Sequence, residues 1–368
     1  MRVAILHDYL NQLGGAERVL EEFIKLFPNA PIFTLFYDEV RTQKKFSGKD
    51  IRASFLQHIP RVADYHHYAI PIMPLAARNL SVRGFDIVLS SSSGYAKGIT
   101  VNPNIFHINY CYTPLRYAWE NKYLNTHPIF QHIQKGITPI LSYLRTWDQK
   151  TSSQPHEMYT ISNHIAKKIK KHYRRDALVV YPPVDTTFFY PSKEKGDFYL
   201  VAGRMLHYKR FDLVVSVFNE LGLPLKVIGS GPEEKRLKKI AHKNIEFLGI
   251  VSDEKLRDYY SEARVLIFPQ QEDFGLVAAE ALSCGTPVIA YTRGGGPEEI
   301  VKQGENGLFF EEQTKESLMA TLVDFKNYTF TRENCRESVA HLSKEKFREK
   351  IKTVIYNGAE QFYGHSLL

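Results

Sequence analysis

Cysteine is scarce: Cys111, Cys284 and Cys335 are the only three in 368 residues, odd in number and without metal-ligand spacing. That argues against a disulfide framework and fits reduced thiols in a cytoplasm, with no ligand set for a metal. Long apolar runs are also missing, since each is broken by a charge or a proline well short of the roughly 20 residues a membrane helix needs. The chain opens on a strand-like Met1-Arg2-Val3-Ala4-Ile5-Leu6 instead of a charged segment followed by a long apolar stretch, so no signal peptide is expected. No Gly-x-Gly-x-x-Gly fingerprint follows that strand, which argues against a nicotinamide-dependent oxidoreductase. Short tandem repeats and low-complexity tracts are absent. The expectation is a cytoplasmic protein, soluble or peripheral on a membrane.

What is present is apolar and aromatic in bulk, at 43% and 13%, enough to bury two domain cores. The formal charge of +8 is unevenly spread. Residues 1–180 hold 23 Lys and Arg against 13 Asp and Glu, whereas the remainder holds 25 against 27. The basic surplus therefore belongs to the first half, and a face of that sign attracts phosphates in nucleic acid, acidic glycans or anionic lipid. Its densest cluster, Lys167-Lys168-Ile169-Lys170-Lys171-His172-Tyr173-Arg174-Arg175, follows a helix start at Ser162-Asn163 and reads first as a solvated helix face.

Two α/β halves follow from the pattern. The first has an opening strand at 2–6, an amphipathic helix from Gly15 to Phe27, and strand-like segments near 31–36, 85–90, 106–110 and 156–161. After Tyr181-Pro182-Pro183-Val184-Asp185, a stiff linker and candidate hinge, segments at 198–202, 225–228, 245–248, 265–268, 288–290 and 307–310 alternate with helical stretches. Such alternation is the pattern of a parallel doubly wound sheet.

Strand ends in both halves carry anion-binding chemistry. Leu13-Gly14-Gly15-Ala16 opens a helix, where backbone N–H groups and the positive helix end suit a phosphate. Gly203-Arg204 follows the strand at 198–202, and with Lys209 it puts two cations at the sheet mouth, suited to a diphosphate. Gly229-Ser230-Gly231-Pro232 and Gly294-Gly295-Gly296-Pro297 add two more glycine loops, and together the four argue for a ligand lying across the strand ends. Glu298 and Glu299 at the last loop read equally as capping or function. Between these loops, Glu272-Asp273-Phe274-Gly275-Leu276-Val277-Ala278-Ala279-Glu280 places two carboxylates eight positions apart, one before a glycine turn and one within the next helix.

These residues over 198–310 resemble the nucleotide-sugar domain of glycosyltransferase family 4. That resemblance implies retaining, metal-independent enzymes of α/β GT-B fold, with two Rossmann-like parallel-sheet domains facing across a cleft and a C-terminal helix crossing back. It implies an acceptor-binding domain at 1–182 with 347–368 and a nucleotide-sugar domain at 183–346. In the first half, His7-Asp8-Tyr9, Gly14 to Arg18, Ser91 to Gly98 and Tyr110 to Glu120 resemble the GDP-mannose-dependent mannosyltransferases of O-antigen and exopolysaccharide synthesis. By resemblance, Arg204, Lys209 and Glu272 are catalytic, the two cations neutralising the leaving diphosphate and Glu272 accepting from sugar hydroxyls. Gly14, Gly15, Gly203, Gly231, Asp273, Phe274, Gly275, Leu276, Val277 and Glu280 bind the donor, Glu280 through ribose hydroxyls. The donor is a nucleotide sugar, by resemblance GDP-mannose with a UDP-hexose as alternative, and neither cofactor nor metal is implied.

Candidates on the acceptor side are His7, Asp8, Lys97, Tyr112 and Arg116. Tyr112 departs from the subgroup, which usually carries a histidine there beside the reacting sugar; a phenol is a poor base, so a GT-B protein that binds sugar nucleotide without catalysis stays open. His107 cannot be assumed to replace it, because strand alternation turns it to the opposite face. The stretch from His58 through Arg78 mixes apolar and aromatic residues with Arg61, Arg78 and Arg83, and that from Phe130 to Trp147 adds an apolar segment with Lys135 and Arg145, as interfacial segments do. They suggest an anionic inner-leaflet surface and a glycan on a polyprenyl diphosphate as acceptor, with nucleic acid suggested only by the basic bias.

Overall fold

The computed structural model describes residues 1–120 and 138–364. The chain splits into two compact units, Met1–Pro182 with the segment from Phe347 onward, and Pro183–Lys346. In the first unit the strands are β1 (Val3–His7), β2 (Ile32–Thr34), β3 (Ile51–Ala53), β4 (Ser81–Val82), β5 (Ile87–Ser92), β6 (Thr100–Val101), β7 (Phe106–Cys111), β8 (Glu157–Thr160) and β9 (Leu178–Val179). Seven of them form one parallel sheet in the order β3-β2-β1-β5-β7-β8-β9, and β4 pairs with β6 apart from it. The second unit holds β10 (Tyr199–Ala202), β11 (Leu225–Ile228), β12 (Ile245–Gly249), β13 (Val265–Phe268), β14 (Val288–Tyr291) and β15 (Gly307–Phe310), all parallel in the order β12-β11-β10-β13-β14-β15.

Strands covered on both faces read as largely apolar runs, and β1, β5, β7, β10 and β13 are buried at every position, with polar residues such as His7, Ser90, Ser91 and His107 hydrogen-bonded where they occur. The six strands of the second unit fall where the hydrophobic runs lie, within a residue or two. Four short strands of the first unit, β3, β4, β6 and β9, leave no comparable run, because two or three residues cannot establish an alternation.

The last helix, Lys344–Tyr363, belongs to the first unit from Phe347 onward. Phe347 packs on Phe23 and Tyr110 with ring centroids 5.8 and 5.9 Å apart, Arg348 pairs with the buried Glu22, and the Tyr363 hydroxyl donates to Asp86 O at 2.6 Å. Gly358 permits the approach: a Cβ there would sit 2.5 Å from Phe106 Cζ. The basic cluster forms the helix Asn163–Tyr173, capped by Ser162 Oγ, which accepts from Ile165 N at 3.1 Å. Several of its charges are internally engaged, Lys168 with Glu120 at 2.8 Å and Arg175 with the carbonyls of Ser152, Pro155 and His156. All three thiols are buried, which pushes Cys111 and Cys335 up to about 12 and makes them poor nucleophiles.

Gly358→Val should destabilise the protein by about 1–3 kcal/mol through overpacking against Phe106. Urea unfolding of the variant beside the parent measures it, and an unchanged midpoint would contradict the close approach.

Candidate functional site

In the second unit β11 and β12 extend from one side of β10, while β13, β14 and β15 extend from the other. The connections therefore reverse direction between β10 and β13, and at such a switch point the loops leaving the carboxyl ends part to form a ligand crevice. Gly203, Arg204 and Lys209 follow β10, and Glu272 follows β13, so the residues expected to act on one donor come from the two strands that flank this switch.

Lys209 ends the 3-10 turn His207–Lys209, and the next residue, Arg210, is left-handed at φ 55°. The Arg210 guanidinium is tethered to Asp212 and Gln313, both at 3.3 Å, and Gln313 Nε2 donates to Pro269 O at 2.7 Å, which ties the turn to the end of β13. Lys209 Nζ meets Glu272 Oε1 at 2.7 Å, with the two side chains 15% and 24% exposed. The half-buried setting strengthens the pair relative to a surface one and fixes both heads in place. Arg204, by contrast, is exposed and makes no side-chain hydrogen bond or ion pair among the described residues. It is an available cation beside a fixed one.

Glu272 is also held through its backbone: its N–H donates to Gly294 O at 2.8 Å and its carbonyl accepts from Gly296 N at 2.9 Å. Gly296 allows this, since a Cβ there would lie 2.2 Å from Phe274 Cα. Gly275, at φ +102°, turns the chain into the helix Leu276–Ser283. The amides of Leu276 and Val277 lie before that helix's own ladder begins, and they point the positive helix end toward the crevice. Glu280 sits one turn further, 5% exposed, with the Tyr260 hydroxyl donating to Oε2 at 3.4 Å. Asp273 and Phe274 are buried in the turn itself.

The glycine loops also pack on one another. A Cβ at Gly229 would fall 2.0 Å from Gly203 O and one at Gly231 2.4 Å from Met205 O. These two glycines let the loop after β11 lie on the loop after β10, joined by Met205 N donating to Ser230 O at 2.8 Å. Gly231 is thus a packing residue in this structure, and so is Gly296. Glu298 caps its own turn by accepting from Gly295 N at 3.0 Å.

The first-unit candidates form two buried networks. His7 Nδ1 lies 3.0 Å from Ser91 Oγ and its Nε2 3.7 Å from Glu17 Oε1; Ser91 Oγ is 2.8 Å from the Tyr112 hydroxyl, which donates to Ala16 O at 3.1 Å. His7 and Tyr112 thus come together through Ser91, which the sequence reading did not single out. Gly14 N donates to Glu17 Oε2 at 2.7 Å, so the amide expected to meet a phosphate is occupied by the chain's own carboxylate, while Gly15 opens the helix Gly15–Leu26 in an exposed position. The Gly-x-x-Glu spacing of a capping box was the available signal.

Asp8 and Lys97 are engaged within the first unit. Asp8 accepts from the amides of Ser93, Tyr95 and Ala96 at 2.6 to 2.9 Å and is 7% exposed, with burial raising its carboxyl above the usual range. It shapes the loop after β5. Lys97 has no exposed surface: its ammonium donates to Gly94 O and Asp148 Oδ1, both at 2.5 Å. Asp148 Oδ2 further accepts from Leu115 N, Trp119 Nε1 and Tyr173 Oη, so this carboxylate ties the segment after β5, the segment after β7 and the end of the Asn163–Tyr173 helix together. Arg116 begins the short helix Arg116–Trp119, half-buried. His107 is buried with Nε2 2.9 Å from Ser90 Oγ, and desolvation lowers it to about 3, a setting for a structural imidazole. Among the described residues no group of three His, Cys, Asp or Glu side chains is arranged to hold a metal.

The second unit thus sets a carboxylate, a fixed lysine and an available arginine at its switch point, a charge set suited to a diphosphate-bearing ligand. The family profile "Glycosyl transferases group 1" matches residues 185–341. The uncharacterized glycosyltransferase MJ1178 of Methanocaldococcus jannaschii is 30% identical over 360 residues, covering 95% of each chain. The chain belongs to the group 1 glycosyltransferases. Solved structures share its fold: sucrose-phosphate synthase of Thermosynechococcus elongatus at TM-score 0.70 and 17% identity, covering 99% of this chain and 100% of that one, and HepE of Anabaena in complex with UDP and glucose at 0.69 and 14%, covering 96% and 99%.

Gly296→Ala should displace the 273–275 turn, cost about 1–3 kcal/mol and reduce stabilisation by any sugar nucleotide; thermal melts with and without ligand measure both. A second expectation concerns pH. His107 titrates near 6.5 when unfolded and about 3 when folded, so the unfolded chain binds more protons between those values and stability falls as pH falls through that window. His107→Gln should flatten that part of the stability profile, read from urea midpoints at its two ends; a slope equal to the parent's would refute it.

Proposed function

We propose that the protein is a retaining hexosyltransferase that moves mannose from GDP-mannose to a hydroxyl of a glycan carried on a polyprenyl diphosphate, working on the cytoplasmic leaflet of a membrane. The observation that carries the transfer chemistry is the Lys209–Glu272 pair beside the unpaired Arg204 at the switch point. An ammonium has three N–H groups, so Lys209 can keep Glu272 and still donate to a phosphate oxygen. Arg204 adds a planar fork suited to the same diphosphate. As the bond from the sugar C1 to the diphosphate breaks, both cations stabilise the charge that develops on the leaving oxygen, with no metal assigned. Glu272 accepts from the hexose hydroxyls and Glu280 from the ribose. With retention, the acceptor oxygen bonds to C1 on the face the diphosphate leaves and its proton passes to a phosphate oxygen. Nucleoside diphosphate and the extended glycan are the products, and no protein nucleophile is required.

The GDP-mannose assignment is supported by the first-half motifs, and the side chain of Tyr112 contributes hydrogen bonds there instead of a base. A UDP-hexose is the second reading, favoured by HepE having been solved with UDP and glucose. The membrane part is supported by Phe55, Ile59, Tyr65, Tyr68, Ile72 and Leu75, which stay exposed along the short helices from Phe55 to Asn79 while Val62, Ile70 and Met73 are buried. Arg61 and Arg78 lie among them, both exposed, which suits anionic lipid. The other interfacial stretch, Phe130 to Trp147, falls outside the described residues up to position 137, Lys135 included; from Thr138 on it is helical with Ile140 and Tyr143 exposed. No described helix is long and apolar enough to cross a membrane.

Thermal-shift screening with nucleotide sugars should give the largest stabilisation with GDP-mannose; stabilisation by UDP-sugars alone would overturn the mannosyl assignment. Glu280→Ala should weaken donor binding about tenfold or more, the loss of a charged hydrogen-bond acceptor. Arg204→Ala should chiefly lower turnover, and unchanged kinetics in both would remove the assigned roles. Sedimentation with vesicles should show preference for anionic over neutral lipid, and equal binding would remove the membrane assignment.

A further inference from the structure

The amino-terminal edge of the second sheet carries a separate cleft. Its volume is about 570 Å³, and its lining includes Lys195 and Asp197 ahead of β10, Arg264 ahead of β13, and the aromatic segment of Phe325, Tyr328 and Phe330. Strands of four residues place it on the order of 13 Å from the carboxyl-end loops, so it is not the crevice of Glu272 and Arg204.

One part of the lining is a wall of three rings. Phe325 and Phe330 stack at 5.3 Å and 20°, and Phe330 and Tyr328 at 5.9 Å and 13°, with Tyr328 outermost and 38% exposed. The remaining groups are polar and complementary. Arg264 Nη1 donates to the exposed Asp197 Oδ1 at 2.8 Å, which leaves the guanidinium's other N–H groups and the second carboxylate oxygen to a ligand. Lys195 has an exposed stem, but its ammonium is tucked against Ala263 O at 2.8 Å and Thr286 Oγ1, leaving one N–H without an acceptor among the described residues.

We propose that this cleft binds a pyranose unit of an oligosaccharide at a site separate from that of transfer. The C–H face of the sugar, slightly positive, rests on the negative outer ring face of Tyr328, which the stacked Phe330 and Phe325 hold in place. Its hydroxyls accept from Arg264 and Lys195 and donate to Asp197. Other occupants fit less well: a phosphate would meet the Asp197 carboxylate, and a lipid tail would desolvate the Arg264–Asp197 pair and the Lys195 ammonium without satisfying their remaining donors and acceptor. The inference rests on the reading that this chain handles glycans, and the cleft would hold a glycan chain away from the reacting end.

Calorimetric titration of the full chain with mannotetraose, maltotetraose and cellotetraose tests it, with GDP-mannose and UDP-glucose thermal shifts run in parallel. At least one tetrasaccharide should bind, and Tyr328→Ala and Asp197→Ala should each weaken it by about tenfold, roughly 1.4 kcal/mol. Asp197 is exposed enough that its variant cannot fail merely by unfolding. The thermal shifts should be equal in parent and variants. No binding of any tetrasaccharide, or parent-like binding by Asp197→Ala and Tyr328→Ala, overturns the inference. Loss of the nucleotide-sugar shift with tetrasaccharide binding intact would instead count against the donor reading alone.

Discussion

The second unit depends on backbone approaching backbone where its strands end. Gly229 and Gly231 let the loop after β11 lie on the loop after β10, and Gly296 lets the loop after β14 seat beneath the turn at 273–275. A methyl group at any of these positions would enter the van der Waals volume of a main-chain atom. With the loops in contact, the hydrogen bonds from Glu272 to Gly294 and Gly296 can form, and the carboxylate reaches Lys209. The charges at the crevice are therefore held by contacts within the chain itself, the kind of arrangement in which fixed charges act most strongly on a developing one.

The same economy of charge runs through the first unit, with a different outcome. Asp8, Glu17, Lys97 and Asp148 are all buried ionisable side chains, yet each is turned inward to satisfy amides, hydroxyls or one another. Buried charges persist only when paired and hydrogen-bonded, and these four fix loop shapes. The available cation of the second unit, Arg204, stands out against that background because no side-chain partner holds it among the described residues.

Much was legible from residues alone. Parallel strands buried on both faces read as apolar runs, so the six strands of the second sheet were visible, as were the two carboxylates flanking a glycine turn and the cations after β10. Less visible was what each polar residue faces. Lys97 lies in a motif with Tyr95 and Ala96 that reads as accessible, but Asp148, fifty-one residues later, brings a carboxylate to it inside the core. Gly14 looked open to a phosphate until Glu17 folded back on it, although the three-residue spacing was there to be read.

The sequence by itself determined the class of fold, the placement of the glycosyltransferase motifs at the ends of β10 and β13, and the presence of two acids and two cations among them. Hydrophobic periodicity and turn chemistry are local, so they survive in one dimension. Only the tertiary structure decided which glycines serve packing, that Lys209 is tied to Glu272 while Arg204 has no side-chain partner among the described residues, and that Asp8 and Lys97 are occupied within the core. Those outcomes depend on which distant side chain supplies the nearest opposite charge or acceptor, and that is fixed by sheet order and loop contact, which no local pattern encodes.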